Sequence, residues 1–180
     1  MFKLRKSEPG EPLVVTMAAL RIGDRLLVVG CSETSLVAQL AAKPGLTGRA
    51  CAVDETPERT AHAATVAERE GALLEVVTAP VTMLPYDAES FDVVVVSHLL
   101  PLLTAERRVP GLCEAARVLR AGGRCVVVQA ARRSGLAGLV PGGPQMPASE
   151  IEAAMQTAGL RAVRTIAERD RLVFVEGARR

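Results

Sequence analysis

Segment 91–97 contains four consecutive valines within the sequence FDVVVVS. A strand with one face in water alternates apolar and polar residues, whereas a strand buried on both faces is apolar nearly throughout. The segment therefore predicts a central strand of a parallel sheet covered by helices on both faces. Because parallel strands need long crossover connections, the rest of the chain is expected to alternate between strands and helices.

The chain shows this alternation on both sides of the valine segment. Short apolar runs predict further strands at 25–30, 49–54, 73–78 and 124–129. Apolar spacing and capping residues predict helices at 33–43, 56–70, 110–120 and 149–158, the last with Ser149 as its N-cap. Two late segments, 160–168 and 171–176, predict an antiparallel pair.

These elements predict an α/β fold with a Rossmann-like doubly wound sheet. We expect residues 1–19 to form an N-terminal extension with a short helix. Residues 20–180 are expected to form one domain, since 180 residues are ordinary for a single domain.

The charge balance and the aromatic content argue against a nucleic-acid partner. The chain has 22 Lys and Arg and 20 Asp and Glu, a net charge of +2, whereas nucleic-acid-binding domains usually carry a strong basic excess. It has one Tyr, three Phe and no Trp, too few for a platform on which bases stack. Its longest apolar stretch, 93–103, is about half of what spans a bilayer, so we predict no transmembrane segment.

The four cysteines do not form a metal-binding pattern. No C-x-x-C occurs, and the two histidines are far apart in the sequence. The cysteines lie in or beside apolar runs, which favours buried free thiols and a cytoplasmic location, with no metal site.

In a doubly wound sheet, ligands bind outside the carboxyl ends of the strands, where the strand order reverses. Asp54 closes the second predicted strand, where a carboxylate can accept hydrogen bonds from a ribose diol. The alternative role for Asp54 is a structural charge beside the helix that follows. The first loop reads GCSETS and lacks G-x-G-x-x-G, which disfavours a dinucleotide dehydrogenase; the absence of G-x-x-x-x-G-K-[ST] excludes a P-loop hydrolase.

Four motifs resemble the class I S-adenosylmethionine-dependent methyltransferases, in particular the small-molecule branch called type 11. The first loop, LLVVGCSET at 26–34, is similar to V-L-D-V-G-C-G-T-G, and AVDETPE at 52–58 to G-V-D-x-S-P-E. The segment LPYDAESFDVV at 84–94 is similar to L-P-F-x-D-x-S-F-D-V-V, and EAARVLRAGGR at 114–124 to E-x-x-R-V-L-K-P-G-G-R. Their order and spacing extend the resemblance from about residue 20 to residue 177.

The resemblance implies a seven-stranded sheet with the last strand antiparallel. It also implies methyl transfer from S-adenosylmethionine to an unidentified small-molecule acceptor. The implied cofactor contacts follow the ends of four strands: Gly30, Cys31, Ser32, Asp54, Glu55, Ala79, Pro80, Val81 and Ser97.

The cofactor motifs depart from the family pattern at several positions. Ser32 and Thr34 replace the second and third glycines, and Glu33 introduces a negative charge near the expected cofactor carboxylate. In the family's G-D-A motif, the Asp hydrogen-bonds the adenine amino group, but here Pro80 occupies that position and has no acceptor on its side chain. An alternative interpretation is therefore a catalytically inactive subunit that binds a protein partner or scaffolds a larger complex.

His98 follows the valine strand, where the family's active-site cleft opens. An imidazole with a pKa near 6.5 is a candidate general base for an acidic acceptor. The alternative is a structural histidine at the end of a strand.

Overall fold

The computed structural model describes residues 12–131 and 144–180. Seven strands make up the sheet: β1 (Arg25–Val29), β2 (Arg49–Asp54), β3 (Glu75–Thr78), β4 (Phe91–Ser97), β5 (Leu119–Ala130), β6 (Arg161–Arg169) and β7 (Leu172–Ala178). The helices are α1 (Leu13–Ala18), α2 (Thr34–Ala41), α3 (Pro57–Arg69), α4 (Ala105–Val118) and α5 (Ala148–Thr157), with a 3₁₀ turn at Leu100–Leu102. No helix within the two described ranges is long and apolar enough to cross a membrane.

The seven strands form one sheet in the order β3-β2-β1-β4-β5-β7-β6. The first five strands are parallel, and β7 runs antiparallel to both β5 and β6. The predicted fold, including the antiparallel last strand, is confirmed. The strand order reverses between β1 and β4, so the switch point lies at their carboxyl ends.

The valine strand β4 lies in the middle of the sheet, as predicted. Val94 and Val96 belong to the apolar cluster on one face, and Val93 and Val95 to the cluster on the other. All four are buried, which explains why the segment shows no alternation.

Two predicted helix starts are wrong. The fourth helix begins at Ala105 rather than at Pro110, which is exposed within it. The helix tolerates the missing N–H because its opposite side is buried through Leu112 and Ala115. The fifth helix has Pro147, not Ser149, as its N-cap.

Asp92 fixes the amino edge of the sheet. Its Oδ2 accepts hydrogen bonds from the Arg25 backbone N–H at 2.8 Å and from the Arg25 Nε at 3.0 Å, and its Oδ1 accepts one from Arg120. Although burial acts to raise the pKa of Asp92, these hydrogen bonds outweigh it and lower the pKa to about 2. The carboxylate therefore ties β1, β4 and β5 together.

The aromatic ring of Tyr86 packs against Phe91. Their centroids lie 4.9 Å apart at 87°, an edge-to-face contact. The Tyr86 ring is thus part of the packing of the fold.

Candidate functional site

A sharp turn at Gly30 brings the loop after β1 against the end of β4. Gly30 has φ +101°, and its N–H donates to the Val53 carbonyl at 2.8 Å. A Cβ at this position would overlap the carbonyl oxygen of Ser97 and approach the Leu99 Cβ to 3.3 Å. Only glycine fits both the conformation and the space.

Asp54 lies at the end of β2 and is 2% exposed. Its Oδ2 accepts the Cys31 N–H at 2.8 Å, and its Oδ1 accepts the Thr56 N–H at 2.9 Å. The Arg59 guanidinium lies 3.8 Å away. The carboxylate therefore joins the first loop to the start of α3, which matches the structural role considered for it. These hydrogen bonds use two of its roughly four lone-pair positions.

Glu55, the next residue, reaches across to the loop after β3. Its Oε1 accepts the Val81 N–H at 3.0 Å, and its Oε2 accepts Arg107 Nη1 at 3.1 Å. Arg107 Nη2 also donates to Oε1. The hydrogen bond from Arg107 lowers the pKa of Glu55 despite the opposing effect of burial, so Glu55 is ionised at neutral pH.

Sequence reasoning did not find Arg107. It lies on α4, 52 positions from Glu55, and its position on an exposed, charged stretch of helix gives no signal of the contact. Only the packing of α4 beside the ends of β2 and β3 brings the two residues together.

His98 and Ser97 lie where β4 ends. The His98 N–H donates to the Val128 carbonyl at 2.8 Å, and the Nδ1 lies 3.1 Å from the Ser97 Oγ. Burial lowers the pKa of His98, and the charge of Glu33 only partly opposes this. The ring is therefore neutral at pH 7, the form in which it can accept a proton.

The remaining predicted contacts lie at the same carboxyl edge. Ser32 and Pro80 are exposed, and Ala79 is half-buried. The Ala79 N–H donates to the Asp54 carbonyl at 3.2 Å, which holds the loop after β3 against β2. Cys31 is fully buried; burial raises the pKa of its thiol to about 12, so it contributes its backbone rather than a thiolate. In the described part of the chain, no cluster of His, Cys, Asp and Glu could hold a metal ion.

Solved structures with the same fold include several methyltransferases. A S-adenosylmethionine-dependent methyltransferase from Aquifex aeolicus has a TM-score of 0.78 at 19% identity, over 91% of this chain and 86% of its own. The [4+2]-cyclase SpnF has a TM-score of 0.72 at 16% identity, over 92% and 79%. A chain of the structure described as "Complex between the Haloferax volcanii Trm112 methyltransferase activator and the putative methyltransferase" has a TM-score of 0.65 at 17% identity, over 91% and 86%.

At these identities the structural likeness establishes the fold alone, and the cyclase shows that the fold supports more than one reaction. No match was found among curated proteins. Residues 27–127, more than half of the chain, match the family model described as "Methyltransferase domain". The chain therefore belongs to the type 11 family of S-adenosylmethionine-dependent methyltransferase domains.

Proposed function

We propose that this chain binds S-adenosylmethionine at the carboxyl edge of its sheet and transfers the methyl group to a small-molecule acceptor. The observation that carries the proposal is the pair of carboxylates, Asp54 and Glu55, beside the switch point between β1 and β4. Family membership supplies the reaction class.

The residues at this edge fit the cofactor by their chemistry. A nucleoside carries hydroxyl and amino donors, and Asp54 and Glu55 are ready acceptors. The cofactor's carboxylate needs N–H donors, and the loop that leads into α2 presents backbone groups at a helix start. Glu33, at the N-cap of α2, opposes this anion and is expected to weaken its binding.

When bound, the sulfonium supplies its own leaving-group activation, so the protein's part is to bind and orient. In this proposal Asp54 and the loop 30–35 hold the ribose and the amino-acid part. His98, neutral at pH 7, accepts a proton from an acidic acceptor at Nε2, in the tautomer whose Nδ1–H donates to the Ser97 Oγ. The four free thiols, three of them buried, support the reducing cytoplasm that we propose as its location.

The test is calorimetric titration with S-adenosylmethionine and S-adenosylhomocysteine, followed by thermal unfolding. We expect saturable heat at one site per chain. At a ligand concentration near 100 times Kd, linkage gives about 2.7 kcal/mol of stabilisation, which raises Tm by roughly 5–10 °C.

Ser32→Trp serves as the blocked control, because Ser32 is exposed on the first loop and the bulky ring can be accommodated without disturbing the core. This variant should fold but lose the heat of binding. If neither ligand gives heat or a rise in Tm at about millimolar concentration, the proposed cofactor binding is refuted for the isolated chain.

A non-catalytic subunit is the second candidate. It is favoured by the engagement of Asp54 in the fold and by the exposed Met83 and Leu102, which follow β3 and β4 and are 68% and 51% exposed. The Haloferax methyltransferase solved with a protein activator is a precedent for such an association. Two results together would favour this candidate. The chain would bind neither nucleoside ligand, and its self-association or its complex with a defined partner would weaken after Met83→Ser and Leu102→Ser.

A further inference from the structure

The Glu55 carboxylate and the Val81 backbone N–H lie side by side at the carboxyl edge. They are 3.0 Å apart, and the Glu55 side chain is 34% exposed. The carboxylate accepts this N–H, so the N–H is engaged, and the pair offers a ligand the remaining acceptor capacity of Glu55. Two residues from different strands form this pair, since Glu55 follows β2 and Val81 follows β3.

A ligand group that matches this acceptor is a hydrogen-bond donor, such as an exocyclic amino group. Adenine carries such a group at its 6-position, where the 6-oxo base hypoxanthine has a carbonyl oxygen.

Arg107 holds the Glu55 carboxylate in position and leaves it able to accept one further hydrogen bond. Of the roughly four lone-pair positions of a carboxylate, the Val81 N–H and the two Arg107 nitrogens use three. The remaining position is on Oε2, and it can accept one further N–H. The bonds to Arg107 also keep the acceptor ionised, which strengthens a hydrogen bond to it.

We propose that Glu55 reads the exocyclic amino group of the adenine base, and that it takes over the acceptor role that Pro80 cannot fill. This inference rests on the proposed cofactor binding and assigns its base specificity to a residue at the end of β2. Pro80 has neither a side-chain acceptor nor an N–H. The loop after β3 therefore has no side-chain acceptor at that position for the amino group of a base. Glu55 supplies one from the neighbouring strand.

The experiment compares S-adenosylhomocysteine with its 6-oxo analogue, S-inosylhomocysteine, by calorimetry on the full chain. The variants are Glu55→Ala and Glu55→Gln. The matched control is Glu75→Gln, because Glu75 is likewise an exposed glutamate paired with an arginine, Arg49, at 2.7 Å, and it lies at the start of β3, away from the carboxyl edge. Thermal unfolding of each variant verifies folding.

We expect the unaltered chain and Glu75→Gln to prefer the adenosine ligand over the inosine ligand. A hydrogen bond to a charged acceptor corresponds to about 10- to 100-fold in affinity. Glu55→Ala should weaken adenosine binding by about tenfold or more and shrink the preference by a similar factor. Glu55→Gln, which can present its amide N–H to the 6-oxo group, should shift the preference toward inosine.

Tighter adenosine binding by Glu55→Ala would overturn the inference, because Glu55 would then be blocking the site. An unchanged adenosine preference in both Glu55 variants would overturn it as well, while leaving the proposed function standing. If none of these proteins binds either ligand, the proposed function itself fails, and the inference falls with it.

Discussion

Replacing Asp54 with alanine is expected to destabilise the protein before any effect on a ligand is considered. The carboxylate accepts the Cys31 N–H at 2.8 Å and the Thr56 N–H at 2.9 Å. The Cys31 N–H lies in the buried interior and would lose its acceptor, at a cost of about 1–3 kcal/mol. The Thr56 N–H is only half-buried and can be reached by water, so its loss adds about 0.5–1 kcal/mol.

These contributions give an expected loss of about 1.5–4 kcal/mol in the free energy of unfolding. For a chain of this length, Tm should fall by roughly 3–16 °C. Asp54→Asn should also destabilise the protein, because both oxygens accept an N–H and an amide can satisfy only one of them.

The assay is urea unfolding followed by circular dichroism, with both variants compared under identical conditions. Glu58→Ala is the control, since Glu58 is an exposed carboxylate in the first turn of α3. If Asp54→Ala unfolds within about 0.5 kcal/mol of the unaltered chain, the two hydrogen bonds contribute nothing and the reasoning is refuted. A confirmed loss would mean that reduced ligand binding by Asp54→Ala cannot be assigned to a lost ribose contact alone.

Three further predictions concern other parts of the molecule. The pKa of Asp92 is about 2 in the folded chain against an ordinary value near 3.9, so ionised Asp92 should stabilise the fold by about 2 kcal/mol above pH 4, and this is lost as pH falls toward 2. Asp92→Asn should therefore lower the urea midpoint at pH 7 and flatten its dependence on pH in acid. Equal slopes of urea midpoint against pH in both proteins would contradict this. Gly30→Ala should lower the free energy of unfolding by about 2–4 kcal/mol, through the positive φ and the overlap with Ser97; an unchanged urea midpoint would mean that the turn relaxes without cost. A thiol reagent should label the exposed Cys113 first in the native protein, since burial raises the pKa of Cys125 to about 12; rapid labelling of all four thiols before unfolding would contradict the packing described above.

Much of the fold follows from local pattern. The third helix, predicted at 56–70, has Thr56 as its N-cap and begins at Pro57, where a proline loses no hydrogen bond because it is at the first helical position. The error at Pro110 has the opposite cause: a proline predicts a helix start from local rules, but burial of the far side of α4 extends the helix through it. Residues 1–11 of the predicted extension lie outside the described ranges, as do residues 132–143, so that part of the extension stays a prediction.

The position of the candidate site also follows from the sequence, but its internal contacts do not. A glycine after β1 and acidic residues after β2 mark the carboxyl edge, because parallel strands end on the same side of a sheet. The sequence proposes Asp54 as a ligand contact, and the structure adds that its carboxylate already binds the first loop and the start of α3. The roles of Asp54, Glu55 and His98 toward a ligand remain predictions.

The sequence by itself determined that the sheet is parallel around β4 and covered on both faces, because a strand buried on both faces is apolar nearly throughout. It also determined which loops meet at one edge. Only the tertiary structure decided that Glu55 meets the Val81 N–H, 26 positions away, and Arg107, 52 positions away. Periodicity reports which side of an element is buried. It carries no information about which exposed side chains reach one another across separate elements, and that reach depends on how the helices pack on the finished sheet.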